Sequence, residues 1–484
     1  MLKSFEIPLV DVQKRLALDN PWWVAGEGLD PERKNWPRRA YFGPFMALVR
    51  AVEVQRAVVL IGPRRVGKTV LLAHAIQALL DEGVGGNTIL YLSLDTPLYS
   101  GRSLESLVRT FTELYRHGGE RRLWIFFDEI QYLKDWEVHL KSLVDTFRHI
   151  RFVASGSAAA ALRMKSRESG AGRFTDFMLP PLTFAEYLAF ANAEEALIEE
   201  LPAEEAGRAP VYRARSIDAL NTEFVNYLNF GGFPEAVMNP AIRANPTRYL
   251  RQDIVDKVLL KDLPSLYGIG DTQELNRFFN VLAYNSGDEV SPEGLSKHTG
   301  IAKQRLQEYL EYLEAAFLIK RVYRVDENAR RMQRARTFKV YLTNPSIRAA
   351  LFGYVNATDA AIGALAETAV WSQWLHSTSM IQSLHYARWR QGRSDLEVDL
   401  ISLDTRTQKP RFAVEIKWSD APYGNWGELR GLREFAAKHI LTRRPLVTTL
   451  TASGIGKDGD LEIEFVPTSL HCYTIARNLL RVGG

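Results

Sequence analysis

Short runs of apolar, strand-prone residues alternate with longer stretches whose apolar positions recur every three or four residues over the first third of the chain. Residues 58–61 (Val-Val-Leu-Ile) stop abruptly at Gly62, and a helical pattern then runs through Val70, Leu71, Leu72, Ala75, Ile76, Leu79 and Leu80. The spacing predicts further strands over 88–93, 123–127 and 150–154, and helices over 44–53, 104–115 and 136–147. Apolar runs bounded by turn formers read as strands buried on both faces. Their alternation with helices predicts an α/β fold with a parallel sheet covered on both sides.

The pattern then changes. Residues 193–215 are acidic first (Glu194, Glu195, Glu199, Glu200, Glu204, Glu205) and basic later (Arg208, Arg213, Arg215), which reads as an exposed connection. Residues 216–275 read as a helical lid with a turn at Gly231-Gly232-Phe233-Pro234-Glu235 and an amphipathic helix over 249–260. Residues 292–300 form a short helix and a turn. A second helix begins at Ile301, with Leu306, Leu310, Leu313 and Phe317 at three- or four-residue spacing. That is a helix-turn-helix pattern. Near the carboxyl end, a helix spans Gly363 to Thr368, strands cover 386–390, 397–401 and 412–417, and a turn falls near 404–410.

The first strand, Gly62 and the helix enclose Gly62-Pro63-Arg64-Arg65-Val66-Gly67-Lys68-Thr69, followed by Val70. This is a phosphate-binding loop in its required strand-to-helix context. Gly62 and Gly67 permit backbone angles that side chains resist. The loop's N–H groups and the helix amino end would then hold phosphates. Lys68 would reach the β- and γ-phosphates, and the Thr69 hydroxyl would bind Mg²⁺. A chance glycine-rich turn is the competing reading. The strand at 123–127 ends in Asp128-Glu129. Asp128 would hold Mg²⁺ through water, and Glu129 would orient and deprotonate an attacking water. After the strand at 150–154, Ser155 is the residue chosen to touch the γ-phosphate or that water, with Ser157 the alternative and a plain turn the bland reading. Arg173 reads either as a finger on a neighbouring subunit's nucleotide or as a solvated loop residue.

Two more constellations carry chemistry. The second helix of the helix-turn-helix opens with Lys303, Gln304 and Arg305, which would enter a major groove. Residues 320–339 hold Lys320, Arg321, Arg324, Arg330, Arg331, Arg334, Arg336 and Lys339 against Asp326 and Glu327 only, a surplus of six positive charges. A basic β-wing suits phosphate contact. A protein–protein module or a merely solvated run competes with that reading. Farther on, strand alternation puts Glu397 and Asp399 on one face, and Glu415 and Lys417 on one face of the next strand. Paired strands would bring Asp399, Glu415 and Lys417 together, and the helix would add Glu367. Two carboxylates, Asp399 and Glu415, can bind Mg²⁺ for phosphodiester attack while the lysine steadies charge. A hairpin with alternating charges on its solvent face competes.

Composition adds bounds. A chain of 484 residues implies two to four domains. A hydrophobic share of 46% with 24% charged residues is ordinary for a soluble globular protein, and the net charge of +4 says little. Cys472 is the single cysteine, so a disulfide framework and a thiolate zinc site are excluded, which fits a cytoplasmic setting. No apolar signal core opens the chain and no run of about 18 apolar residues exists, so no membrane association is expected. Residues 1–44 carry Trp22, Trp23, Trp36 and a basic cluster (Arg33, Lys34, Arg38, Arg39). They read as an arm anchored by tryptophans, with folding over the nucleotide base as the alternative.

Phe127-Asp128-Glu129-Ile130-Gln131, Trp136, Ser155-Gly156-Ser157, Ala171-Gly172-Arg173, and the stretch from Leu179-Pro180-Pro181-Leu182-Thr183-Phe184 to Glu186-Tyr187 resemble prokaryotic AAA-family ATPases with a C-terminal domain of unknown function numbered 4143. The likeness spans roughly residues 45–420. It implies an AAA-like P-loop ATPase core, a winged helix and a PD-(D/E)xK (restriction-endonuclease-like) C-terminal fold, though no proline precedes Asp399. The expected organisation is an N-terminal arm (1–44), the ATPase core (45–205), a helical lid (206–275), a winged helix (276–352) and a nuclease-like domain (353–484). The expected cofactors are ATP and Mg²⁺. The expected partners are DNA and further copies of the chain. Two functions follow: an ATP-dependent enzyme that binds and cuts DNA, or a nucleotide-switched regulator or scaffold that does not cut.

Overall fold

The computed structural model describes residues 8–24, 26–156, 172–201, 210–330 and 337–482. Ser157, Ala171, Glu204, Glu205, Arg208, Arg331, Arg334 and Arg336 lie outside the described residues. The chain divides between Leu179 and Pro180 into two compact units.

The first unit is built on a parallel sheet of β1 (Ala57–Ile61), β2 (Ile89–Ser93), β3 (Leu123–Asp128), β4 (Ile150–Gly156) and β5 (Phe174–Met178), in the order β2-β3-β4-β1-β5. β1 is wholly buried, as its unbroken apolar run requires. Helices Lys68–Asp81, Leu104–Leu114 and Trp136–Thr146 form the crossovers between successive strands. β5, absent from the sequence reading, pairs with β1 from Ala57↔Phe174 to Ile61↔Met178.

The arm covers the open edge of this sheet. Helix Leu9–Asp19 ends at Asn20, whose side chain acts as a strand partner for β2: it accepts from Tyr91 N at 2.6 Å and donates to Tyr91 O at 3.0 Å. The indole N–H groups of Trp22 and Trp23 both donate to Ile89 O, at 3.2 and 2.8 Å. An edge strand is thereby capped by side chains where a further strand would otherwise pair. The tryptophans anchor the arm on β2.

In the second unit, residues 193–215 depart from the sequence reading. Within them β6 (Ile198–Leu201) and β7 (Val211–Ala214) form a hairpin. Its charges are partnered, with Glu199 held by Arg213 at 2.6 Å and Glu200 by Arg481 at 2.6 Å. The stretch read as one amphipathic helix over 249–260 winds as π-helical turns, Arg251–Asp256 and Val258–Asp262. Helices Pro292–Thr299 and Lys303–Ala315 are followed by β9 (Ile319–Val325) and β10 (Phe338–Leu342), which pair antiparallel, with β8 (Glu289–Val290) on the outer side of β10.

That hairpin is not a separate layer. β9 also pairs in parallel with β11 (Leu384–Gln391) through Tyr386↔Arg324 and Ala387↔Val325. β12 (Ser394–Leu403), β13 (Pro410–Glu415), β14 (Leu446–Thr449), β15 (Gly454–Asp458) and β16 (Leu461–Pro467) complete one nine-stranded sheet, β15-β16-β14-β13-β12-β11-β9-β10-β8. The segments read as winged helix and nuclease-like domain therefore share a sheet. Val325, Val398, Ile401, Ala413, Leu432, Phe435 and Phe465 lie in one core beneath it. Residues 210–275, read as a lid, pack inside this unit: Asn229 donates to Val355 O at 2.8 Å and Asn221 accepts from Ser469 at 2.6 Å. Among the described residues, no helix is long and apolar enough to cross a membrane.

Candidate functional site

The loop from Gly62 to Thr69 leaves β1 at its carboxyl end and runs directly into helix Lys68–Asp81. Two glycines are demanded there. A Cβ at Gly62 would lie 2.2 Å from the Leu179 carbonyl oxygen, and Gly67 has φ +93°. Arg65 also takes a left-handed conformation, with φ 62°. Lys68 is buried, and its ammonium donates to the carbonyls of Gly62 (3.0 Å) and Pro63 (2.7 Å), so it lies across the mouth of its own loop. Arg39 of the arm braces the loop from outside through Nη1 to Val66 O at 2.7 Å.

The sheet order sets Asp128 two strands from β1, with β4 between. It nevertheless meets the loop: Thr69 Oγ1 donates to Asp128 Oδ2 at 2.8 Å. Ser155, opposite Leu60 in register, donates its hydroxyl to Asp128 Oδ1. The Glu129 N–H donates to Asp128 Oδ1 (3.2 Å) and to Ser155 Oγ (3.3 Å), in a left-handed turn with φ 54° at Glu129. Lys68, Thr69, Asp128, Glu129 and Ser155 are thus brought together at the carboxyl edge of the sheet, where open α/β sheets bind ligands. This donor set suits a nucleotide with its magnesium ion: a hydroxyl and a carboxylate 2.8 Å apart for the metal, and, for the phosphates, a buried lysine on a loop that runs into the amino end of a helix.

Two members of the site were not read from the sequence. Tyr91 OH donates to Asp128 Oδ2 at 2.8 Å, and burial together with the Asp128 charge pushes its phenol well above the ordinary value, keeping it a donor. Gln131 Nε2 donates to the Glu129 carboxylate. Gln131 follows the acidic pair by two residues and was visible as a motif residue. Tyr91 had only its strand position as a signal. Arg173 is not brought to the loop. It precedes β5 at the amino end of the sheet, accepts from Ala57 N through its carbonyl at 2.8 Å and pairs with Asp145.

The second unit carries another centre. Lys417 Nζ lies 2.8 Å from Glu415 Oε1 and 3.6 Å from Asp399 Oδ2, while Ile416 N donates to Asp399 Oδ2 at 2.8 Å. The strand reading of these three residues is therefore realised in space. Glu367, on helix Ile362–Gln373, joins them through Lys339 of β10. The Lys339 ammonium is 2.5 Å from Glu397 Oε1, 3.1 Å from Glu367 Oε1 and 3.9 Å from Asp399 Oδ1. Burial and then the Asp399 charge push the Glu415 carboxyl up to about 8. Burial opposes charge on Lys339, but Glu367, Asp399 and Glu397 outweigh it and raise the ammonium above its usual value. Among the described residues, no group of three or more His, Cys, Asp or Glu side chains is placed to hold a metal ion.

The basic positions are less free than their sequence suggests. Lys303 pairs with Glu293, Gln304 donates to Glu308 (3.4 Å), and Arg305 lies 3.5 Å from Glu274, all three being exposed. Within 320–339, Lys320 and Arg321 both bind Glu314 at 2.7 Å, Arg324 lies 3.8 Å from Glu289, and Lys339 is enclosed. Half of the eight basic side chains are thus matched by acids from outside the window, which a local charge count cannot see. Arg330 remains exposed.

The fold and this geometry define the first unit as a P-loop α/β domain. Residues 54–188 match the model of an AAA domain. Residues 221–358 match a domain of unknown function numbered 8612, where the resemblance had led to expect 4143. An uncharacterized protein of Haemophilus influenzae is 26% identical over 274 residues, 55% of this chain and 62% of its own length. An uncharacterized protein of Methanocaldococcus jannaschii is 26% identical over 294 residues, 58% of this chain and 60% of its own. The chain thus spans about three fifths of the length of these curated relatives. Among solved structures, the Walker-type ATPase PABY2304 of Pyrococcus abyssi aligns with TM-score 0.41 and 15% identity, covering 68% of this chain and 99% of that one. AMPPCP-bound DnaA of Aquifex aeolicus aligns with TM-score 0.30 and 11% identity, covering 60% and 93%.

Proposed function

We propose that the protein binds and hydrolyses ATP at the Gly62–Thr69 loop and uses the nucleotide state to control a DNA-binding second unit. The hydrogen bond from Thr69 to Asp128 carries this reading, because it joins the loop to the acidic strand end across an intervening strand. Thr69 and Asp128 would hold Mg²⁺, which neutralises phosphate charge when bound. Lys68 would exchange its two loop carbonyls for phosphate oxygens. Glu129 would take the proton of the attacking water, and Ser155 fixes the turn that aims it. Arg173 stands about 17 Å from the loop, the length of a five-residue strand at roughly 3.3 Å per residue. It would therefore serve only a neighbouring copy's nucleotide, in a homo-oligomer. Purified wild-type protein is expected to turn over ATP in magnesium buffer, and Lys68→Ala to abolish it. Absence of ATP or ADP binding by the wild type refutes the proposal.

The helix-turn-helix and its β8–β9–β10 strands support a winged-helix reading, with the amino end of helix Lys303–Ala315 and Arg330 toward DNA. Duplex affinity measured by fluorescence anisotropy should differ between the nucleotide-free, ATP-bound and ADP-bound protein. Equal affinities would remove the switch. A second reading, metal-dependent DNA cleavage through a PD-(D/E)xK-like centre, is favoured by the meeting of Asp399, Glu415 and Lys417. It predicts nicking in Mg²⁺ or Mn²⁺ that disappears in Asp399→Ala and Lys417→Ala.

A further inference from the structure

The nuclease-like reading requires a divalent cation beside Asp399. Four carboxylates surround that point (Glu367, Glu397, Asp399 and Glu415), and two ammonium groups already lie among them. Lys417 is the one the sequence pattern anticipates. Lys339 comes from β10, sixty residues before Asp399, and its side chain is 6% exposed. Three carboxylate oxygens from three different residues lie 2.5 to 3.9 Å from its nitrogen. Glu367 Oε1 is further claimed by Tyr341 OH at 2.5 Å, and the face of the Tyr386 ring lies 5.4 Å from the ammonium. The backbone of Lys339 is fixed by pairing with Val322 on one side and Glu289 on the other. The position is therefore built to hold a cation, and the chain supplies that cation itself.

A magnesium ion needs oxygen ligands at about 2.0–2.1 Å in octahedral array. It cannot take Glu367 and Asp399 while a buried positive charge sits between them. Among the described residues, Glu415 Oε2 is sealed from solvent without a hydrogen-bond donor, on a residue 8% exposed. We propose that Lys339 is the resident cation of this centre, occupying the place of the divalent ion, so that the centre as folded excludes metal and instead ties the β9–β10 hairpin to β12 and the Glu367 helix. The proposal rests on the nuclease-like grouping of these side chains alone and runs against metal-dependent cleavage by the protein as folded: removal of the Lys339 ammonium becomes the condition for metal entry.

The test is Mn²⁺ binding to the full chain without nucleotide, read from the free-ion electron paramagnetic resonance signal. Wild type and Asp399→Asn are expected to bind Mn²⁺ equally weakly. Lys339→Met is expected to gain one site per chain at least tenfold tighter than any in the wild type, and Lys339→Met/Asp399→Asn to lose it. Lys339→Met/Glu397→Gln removes one charge of each sign, so it tests the same point should the single variant fail to fold as judged by circular dichroism. A wild-type Mn²⁺ site that Asp399→Asn abolishes overturns the proposal while leaving the nuclease-like reading standing. Failure of both folded Lys339 variants to gain a site overturns it as well. A gained site with no DNA cleavage by any variant upholds the resident lysine and refutes cleavage.

Discussion

Asn20→Ala is a substitution far from the nucleotide loop whose effect can be worked through to it. Asn20 is fully buried and gives β2 the two hydrogen bonds that a further strand would give, to Tyr91 N and Tyr91 O. Alanine leaves both backbone groups without a partner. An unmade hydrogen bond at a buried backbone group costs about 1–3 kcal/mol, and the partial exposure of an edge strand lowers the sum to about 2–4 kcal/mol. For a unit of this size that is a fall in melting temperature of roughly 6–12 °C. Calorimetry separates the two units, because the transition of the first is the one that ATP and magnesium should raise. The damage should also reach the site, since Tyr91 holds Asp128 through its hydroxyl. The apparent affinity for ATP should weaken together with the melting point. Asn20→Asp, which keeps the acceptor but sets a buried carboxylate oxygen against the Leu16 and Tyr91 carbonyls, should melt no higher than Asn20→Ala. An Asn20→Ala protein that melts within 1 °C of wild type would refute the idea that the arm closes the sheet edge.

Glu129→Gln should bind fluorescent ATP as wild type does while turnover drops about 10²- to 10⁴-fold, the usual worth of a general base, in a single-turnover phosphate-release assay. Gly62→Ala should abolish nucleotide binding, because the added Cβ meets the Leu179 carbonyl at 2.2 Å; equilibrium dialysis with ADP checks it. His471 is pushed down to about 4 by burial, so its neutral form is favoured in the fold. The stability it contributes is present above its ordinary value of 6.5 and is lost as pH falls toward 4. His471→Gln should flatten denaturant midpoints over that window, where the wild type loses at most about 1.4 kcal/mol per pH unit from this group.

Legibility in the sequence followed how local the determining forces are. β1 to β4 were readable because each is a largely apolar run closed by glycine, serine or aspartate; the one charged interruption, Arg151 of β4, is buried against the Val54 and Arg56 carbonyls. β5 was not, because Thr175 and Asp176 break its apolar character and only pairing with β1 makes it a strand. The loop chemistry was readable from fixed spacing, and so was the approach of Asp399, Glu415 and Lys417, which strand alternation places on a common face. Tyr91 and Lys339 were not, since each reaches its carboxylates through sheet register between distant segments. Lys339 was further disguised by its place in a basic run that read as a phosphate-contacting wing. The π-helical turns at Arg251–Asp256 and Val258–Asp262 also escaped, because apolar spacing does not distinguish them from an ordinary helix.

The parallel pairing of β9 with β11 bears on how the protein can be cut into pieces. A fragment ending near residue 352 would leave β9 with an open row of amides and carbonyls on its inner side, and the remaining piece would carry the matching wound on β11. Both halves would tend to stick, to each other or to themselves. Anyone seeking the DNA-facing helices alone should therefore purify them with the whole carboxyl-terminal sheet attached.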